Sequence, residues 1–199
     1  MKKIIYLIPF LMFIFAEGPA SSEEKKPLIP NIKLKDLKNN KVMLEDFYSQ
    51  GPILMNFWTL SCEPCKKEMK HLSRINEKYA ESGFQVVSIN MDSPRTMRKV
   101  KQFVNSQKYS FRVLLDPRTE LFRKIGGSVM PLVVLVNMDG TIEKRHIGYS
   151  PGDEVGLEKE IVEIISLNGL KLPELIKDEN LDKEKTVVVP EEPLSPDEN

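Results

Sequence analysis

The pattern of hydrophobic and polar positions changes its period near residue 60. Residues 53–58 form an apolar run, which is typical of a central strand covered on both faces. From residue 64 to about residue 81, apolar side chains recur at steps of three and four, which predicts an amphipathic helix. The apolar positions of this helix are Cys65, Met69, Leu72, Ile75 and Tyr79. A buried strand followed at once by a helix is therefore the first expected unit.

Strands and helices are expected to alternate through the rest of the folded region. Residues 32–46 alternate loosely between apolar and polar positions, which predicts two short strands or a hairpin. Further strands are predicted at 84–91, 111–115, 132–137 and 141–147, and further helices at 94–107, 118–125 and 155–166. Asp92 or Ser93 is expected to cap the helix at 94–107. This order predicts an α/β domain over residues 30–168, with a central mixed β-sheet flanked by helices.

The two ends of the chain lack this periodicity and are expected to lie outside the domain. Residues 1–20 combine a charged start with a short apolar run, which is typical of a signal peptide. An uncleaved membrane tether through residues 4–16 is the alternative. Residues 21–29 are polar and contain proline, as expected of a linker. Residues 169–199 are acidic and contain several prolines, which favours a largely disordered tail.

The chain has two cysteines, Cys62 and Cys65, between the apolar run and the helix that follows. A disulfide across so short a loop stabilises a fold by roughly 2 kcal/mol, against about 4–5 kcal/mol for a long loop. The pair therefore favours redox chemistry over a structural bridge. Cys62 is expected in the first helical turn, where unpaired N–H groups and the helix dipole favour a nucleophilic thiolate. Cys65, one turn further in, is placed to attack Cys62 and resolve a mixed disulfide.

Pro64, Glu68 and Pro131 also carry specific predictions, and the last two have alternative interpretations. Pro64 fits the first helical turn because a missing N–H has no cost there. Glu68 lies three residues after Cys65 on the same helix face, where a partly buried carboxylate would oppose thiolate formation and titrate together with the thiols. A surface glutamate paired with a lysine is the alternative for Glu68. Pro131 lies in an apolar segment, and the alternative for it is the first residue of a strand.

Composition excludes some other classes of site. The chain has 29 Lys and Arg residues against 29 Asp and Glu residues, so no overall positive field attracts it to nucleic acid. His71 and His146 are far apart in the sequence and, with one pair of cysteines, do not form a zinc site. We therefore expect no metal, and no cofactor other than a redox-active disulfide between Cys62 and Cys65.

Residues 58–69, WTLSCEPCKKEM, resemble the active-site stretch of exported thioredoxin-like proteins of the TlpA/ResA group. The resemblance runs from about residue 30 to residue 166 and includes residues 129–131, which match the cis-proline loop of the family. It implies a thioredoxin-like fold with an N-terminal β-hairpin and a helical insertion between residues 92 and 107. It also implies that Glu68 is the acid/base residue, and that the cis bond before Pro131 faces the dithiol.

The same resemblance implies a thiol–disulfide oxidoreductase that reduces specific protein partners, such as apocytochrome c or a copper-site assembly protein. Its electrons would come from a membrane or exported thiol reductant, and its location would be the periplasm or the outer face of a bacterial cytoplasmic membrane. The catalytic residues implied are Cys62, Cys65 and Glu68, and the substrate-contacting residues are Trp58, Glu63, Pro64, Met130 and Pro131.

Departures from the family pattern affect the rim of the site more than the reaction class. Ser61 replaces a tryptophan, Lys70 replaces a proline, and Met130 replaces a threonine or valine. Two other functions are weaker alternatives. A thiol peroxidase would place a proline where Met55 stands, and a copper-delivery module favours a wider Cys-x-x-x-Cys spacing with a histidine.

Overall fold

A computed structural model describes residues 26–174 and contains a seven-stranded mixed β-sheet. The strand order across the sheet is β2-β1-β5-β4-β3-β6-β7. The strands are β1 (Lys33–Asp36), β2 (Lys41–Met43), β3 (Ile53–Trp58), β4 (Gln85–Asn90), β5 (Arg112–Leu115), β6 (Leu132–Val136) and β7 (Ile142–Ile147). The β3–β4 and β4–β5 pairs are parallel and the other four pairs are antiparallel. The predicted mixed sheet is confirmed.

Among residues 26–174, five α-helices cover the two faces of this sheet. They are α1 (Glu45–Tyr48), α2 (Glu63–Tyr79), α3 (Met97–Gln107), α4 (Glu120–Lys124) and α5 (Asp153–Leu167). Helices α2, α3 and α5 pack on one core, and α1 and α4 pack on the other. No helix within residues 26–174 is long and apolar enough to cross a membrane.

Strand β3 separates these two cores, which explains its unbroken burial. Side chains along a strand point alternately to opposite faces of the sheet. Met55 and Phe57 therefore enter the core under α1 and α4, whereas Leu54 and Trp58 enter the core under α2, α3 and α5. Burying one such side chain fully is worth roughly 1.5–3 kcal/mol, so a charged residue in β3 would be strongly destabilising.

The predicted hairpin and insertion are both present. Strands β1 and β2 pair in antiparallel register, with Leu34 opposite Val42. The insertion consists of a 3₁₀ turn, Pro94–Thr96, followed directly by α3. Helix α1 was not predicted, because a single turn of four residues contains no repeat that a helical period could reveal.

The folded unit extends beyond both predicted domain boundaries. Leu28 pairs with Thr141 in an isolated bridge, and Ile29 is buried in the core, although the linker was predicted to run to residue 29. Leu170 and Leu172 pack against the core under α2 and α5, although the acidic tail was predicted to begin at residue 169. Apolar side chains near a boundary join the core when a hydrophobic surface is within reach. The predicted signal peptide or anchor and residues 175–199 lie outside the described residues.

Candidate active site

Cys62 and Cys65 form a disulfide at the start of α2, with their Cα atoms 5.3 Å apart. Cys62 is the N-cap of the helix, one residue before its first turn, and its sulfur accepts a hydrogen bond from the Cys65 N–H at 3.3 Å. Cys62 is partly exposed, whereas Cys65 is fully buried. Only Cys62 is therefore open to a large partner, and a thiolate there would be stabilised by the N–H donors of the first turn.

The two residues between the cysteines are exposed, as expected of the rim of a site. Pro64 lies in the first turn of α2. Glu63 accepts a hydrogen bond from Lys66 at 2.7 Å, and this bond and the lysine charge lower the pKa of the Glu63 carboxyl. Lys66 also lies 5.6 Å from the ring centre of Phe103 on α3. The first turn of α2 therefore contacts the helical insertion.

Glu68 is buried on the inner face of α2, with only 4% of its surface exposed. It forms no ion pair within residues 26–174, and its Oε2 atom has no hydrogen-bond partner there. Burial, with a smaller contribution from the charge of Asp153, raises the pKa of Glu68 to about 8. The predicted burial of Glu68 is confirmed, and the alternative of a lysine-paired surface glutamate is wrong. Burial therefore favours the protonated form of the Glu68 carboxyl.

The peptide bond between Met130 and Pro131 is cis, as predicted from the resemblance. Pro131 is buried and directly precedes β6, which pairs with β3 at Leu132 and Phe57. Its carbonyl accepts a hydrogen bond from the Gly148 N–H at 2.8 Å. Since β3 ends next to the start of β6, the Met130–Pro131 loop and the dithiol lie at the same edge of the sheet. Met130 packs partly on the core that contains Cys65.

Trp58 does not lie on the rim of the site, so its assignment as a substrate-contacting residue is wrong. Its side chain is fully buried, and its ring centre lies 5.5 Å from that of Phe103. The last residue of β3 faces the core under α2 and α3, because alternate side chains of the strand point there. Trp58 therefore supports the turn before Cys62 from beneath, together with the insertion.

Asp92 was predicted to cap the following helix and instead anchors the turn before Cys62. Its Oδ2 atom accepts hydrogen bonds from the Leu60 N–H and from the Asn90 side chain, each at 2.8 Å. The prediction that Asp92 or Ser93 caps the insertion is wrong, because no side-chain cap is present at Ser93 and the Asp92 carboxylate is used by the loop. The sequence signal that could have predicted this anchor is the polar pair Asn90 and Asp92 at the end of a buried strand.

The comparisons with known proteins agree with this geometry. The model of the Redoxin family matches residues 23–161. The chain belongs to the redoxin family.

Relatives of this redoxin are named for one reaction. Thiol-disulfide oxidoreductase ResA from Bacillus cereus is 32% identical over 133 residues, which are 65% of this chain and 75% of the relative. Sporulation thiol-disulfide oxidoreductase A from Bacillus subtilis is 27% identical over 153 residues, covering 76% of this chain and 92% of the relative. A solved structure from Chlorobium tepidum, assigned as thiol:disulfide interchange protein DsbE, has a TM-score of 0.66 and 27% identity. The match covers 71% of this chain and 98% of the solved chain.

These findings confirm the predicted fold and reaction class. The redoxin has the thioredoxin-like fold and is a thiol–disulfide oxidoreductase of the TlpA/ResA type. The dithiol lies between β3 and α2, Glu68 lies on the buried face of α2, and the Met130–Pro131 bond directly precedes β6, which pairs with β3.

Proposed function

We propose that this redoxin is an exported reductant of specific protein disulfides. One observation carries the proposal: the partly exposed Cys62 caps α2, while Cys65 and the carboxyl of Glu68 are buried one turn apart on the same helix. An exposed nucleophile gives access to a large partner, and a buried second thiol with a proton acceptor nearby suits the step that releases it.

In the first step the Cys62 thiolate of the reduced protein attacks one sulfur of a partner disulfide. The partner S–S bond breaks, a mixed disulfide forms at Cys62, and the other partner sulfur leaves as a thiolate that takes up a proton. The N-cap position of Cys62 supports its role as nucleophile, because the N–H groups of the first turn of α2 favour the anion.

In the second step Cys65 gives up its proton, and its thiolate attacks the sulfur of Cys62. The mixed disulfide breaks, the second partner sulfur leaves as a thiolate, and the Cys62–Cys65 disulfide forms. The partner has then gained two electrons. Glu68 is the proposed acceptor of the Cys65 proton, since it lies three residues further along the buried face of α2 and has a pKa of about 8.

Substrate contacts are proposed for the exposed Glu63 and Pro64 and for the backbone of Met130 and Pro131. No cofactor beyond the Cys62–Cys65 disulfide and no metal is needed for these steps. The proposed partners are apocytochrome c or a copper-site assembly protein, with a membrane or exported thiol reductant as electron donor. The leader predicted at residues 1–20, or the alternative tether through residues 4–16, supports the proposal of a location in the periplasm or on the outer face of the cytoplasmic membrane.

The test measures the reduction potential of the protein and the activity of two cysteine variants. The reduced protein should reduce a model disulfide, with a reduction potential closer to that of thioredoxin than to that of DsbA. Cys62→Ser should abolish turnover, and Cys65→Ser should accumulate a mixed disulfide at Cys62 that mass spectrometry detects. Full turnover in either variant, or tight copper binding without thiol exchange, would overturn the proposal.

A further inference from the structure

A groove of about 540 Å³ opens beside the dithiol helix, between α2 and the segment that joins β7 to α5. Glu68 and His71 line it from α2, and Ile147, Tyr149 and Asp153 line it from the other side. This groove contains the carboxyl that the proposed reaction uses as a proton acceptor. A group bound in the groove would therefore lie next to that carboxyl.

The unpaired Oε2 atom of Glu68 points to a missing partner. Most buried polar atoms in proteins have a hydrogen-bond partner, because burial of an unpaired one is unfavourable. Glu68 is more than nine-tenths buried and lines the groove, yet no donor among residues 26–174 reaches that oxygen. The Oε2 atom itself is closed to solvent, so a donor in the groove would reach the Glu68 carboxyl on the side that lines the groove.

Asp153 adds an unneutralised negative charge to the same groove. It is the first residue of α5 and is exposed. Its Oδ2 atom accepts a hydrogen bond from the Ser150 N–H at 2.7 Å, and it forms no ion pair within the described part of the chain. Its charge acts on Glu68 across the groove and opposes ionisation there. A cation between the two carboxyls would relieve this repulsion.

The other charged side chains at the groove already have hydrogen-bond or ion-pair partners. Glu154 accepts hydrogen bonds from Gly152 N–H at 2.9 Å and from Tyr149 Oη at 3.2 Å, and lies 3.6 Å from His71. Glu160 is 2.7 Å from the ring of His146. The guanidinium of Arg145 donates to the Ile125 carbonyl at 2.5 Å. Glu68 and Asp153 are thus the groove carboxyls that have no ion-pair partner within residues 26–174.

We propose that this groove binds a protonated lysine or arginine side chain of the partner polypeptide, close to the partner cysteine that reacts with Cys62. The inference rests on the proposed function and narrows its substrates to disulfides that have a basic residue nearby. Arginine fits best, because its planar fork of N–H donors can reach two carboxyl groups at once.

Binding and proton transfer are coupled in this arrangement. A cation beside Glu68 favours its ionised form, and by reciprocity the ionised form binds the cation more tightly. The preference for a basic residue should therefore increase as the pH rises through about 8, where Glu68 ionises.

The experiment compares matched disulfide peptides that differ at one residue. Each pair has arginine or its neutral analogue citrulline one, two or three residues from the reactive cysteine. The reduced protein should reduce the best arginine peptide about five- to tenfold faster than its citrulline partner at low salt, and the ratio should fall at high salt.

Two variants and one control locate the effect. Asp153→Asn retains an oxygen that can accept the Ser150 hydrogen bond, and it should bring the arginine-to-citrulline ratio close to one. Glu68→Gln should remove the dependence of that ratio on pH. Glu163→Gln, an exposed acid of α5 that does not line the groove, should leave the ratio unchanged.

The outcomes separate the two proposals. If neither peptide is reduced, the proposed function fails. If both peptides of every pair are reduced at equal rates, the reductase function stands and the cation site is overturned. A ratio that persists in Asp153→Asn with normal circular dichroism would also overturn the site.

Discussion

The backbone N–H of Leu60 donates a hydrogen bond to the carboxylate of Asp92 at 2.8 Å, across 32 residues of sequence. This bond connects the turn that precedes Cys62 to the end of β4. The Asn90 side chain donates to the same Oδ2 atom, so one carboxylate oxygen holds two elements together. The position of Cys62 relative to the sheet thus depends on a residue outside the Cys-x-x-Cys motif.

Replacing Asp92 should loosen this turn. Asp92→Ala leaves the Leu60 N–H and the Asn90 amide without their acceptor, so the free energy of unfolding should fall by about 1–3 kcal/mol. The rate of thiol exchange at Cys62 should fall as well. Chemical denaturation and a model-disulfide assay measure the two effects. Ser93→Ala, at an adjacent exposed position without a side-chain cap, is the control and should change stability by less than about 0.5 kcal/mol.

Burial of Glu68 predicts a dependence of stability on pH. Its pKa is raised from an ordinary 4.5 to about 8, so the folded protein binds a proton more tightly than the unfolded chain. Its stabilising contribution is present below pH 4.5 and is lost as the pH rises to about 8, with a slope of at most about 1.4 kcal/mol per pH unit. Glu68→Gln should remove this slope from the unfolding free energy of the oxidised protein.

The oxidised form is used for that measurement because its cysteines do not titrate. Glu77→Gln, an exposed acid of the same helix, should retain the wild-type slope. A slope that is equal in wild type and Glu68→Gln would show that Glu68 has the same pKa in the folded and unfolded chain.

Glu68 should also govern the titration of the reduced dithiol. An ionised carboxylate one helical turn from Cys65 opposes the formation of a second negative charge there. Glu68→Gln keeps the shape and removes the charge, so the pH profile of alkylation should shift to lower pH by roughly 0.5–1 unit. Rates of alkylation between pH 5 and pH 10 measure the profile. An unchanged profile would show that the charge of Glu68 does not affect the ionisation of the thiols.

The insertion should support the site through its aromatic contact with the strand below. Phe103→Ala removes the ring that packs on Trp58, and the unfolding free energy should fall by about 2 kcal/mol. Trp58 is the single tryptophan of the chain, so a red shift of its emission would report the change directly. Gln102→Ala, at the exposed neighbouring position, should leave both the emission and the stability as they are.

The dithiol and its helix could be predicted because their signals are local. An apolar run, a change to helical period and a Cys-x-x-Cys pair between them define the strand, the helix and the nucleophile within 30 residues. The burial of Glu68 followed from its spacing to Cys65 on one helix face. These features depend on backbone geometry that repeats in every strand and helix.

Features that depend on distant segments could not be predicted in this way. An apolar residue at the end of a strand fits a core and a rim equally well, so the sequence did not distinguish the two positions for Trp58. The bond from Leu60 to Asp92 and the groove between Glu68 and Asp153 join segments that only the folded sheet brings together. Helix α1 was missed because it is too short to show a period.

The unequal exposure of Cys62 and Cys65 has a consequence for how long a partner would remain attached in the proposed reaction. Cys65 is held with its Cα atom 5.3 Å from that of Cys62, so its attack on a mixed disulfide is intramolecular. Groups held in reactive geometry behave as if present at a very high effective concentration, which no free thiol in solution can match. In the proposed reaction we therefore expect the partner to leave through attack by Cys65 rather than by an external thiol, so that this protein sets the lifetime of the covalent complex.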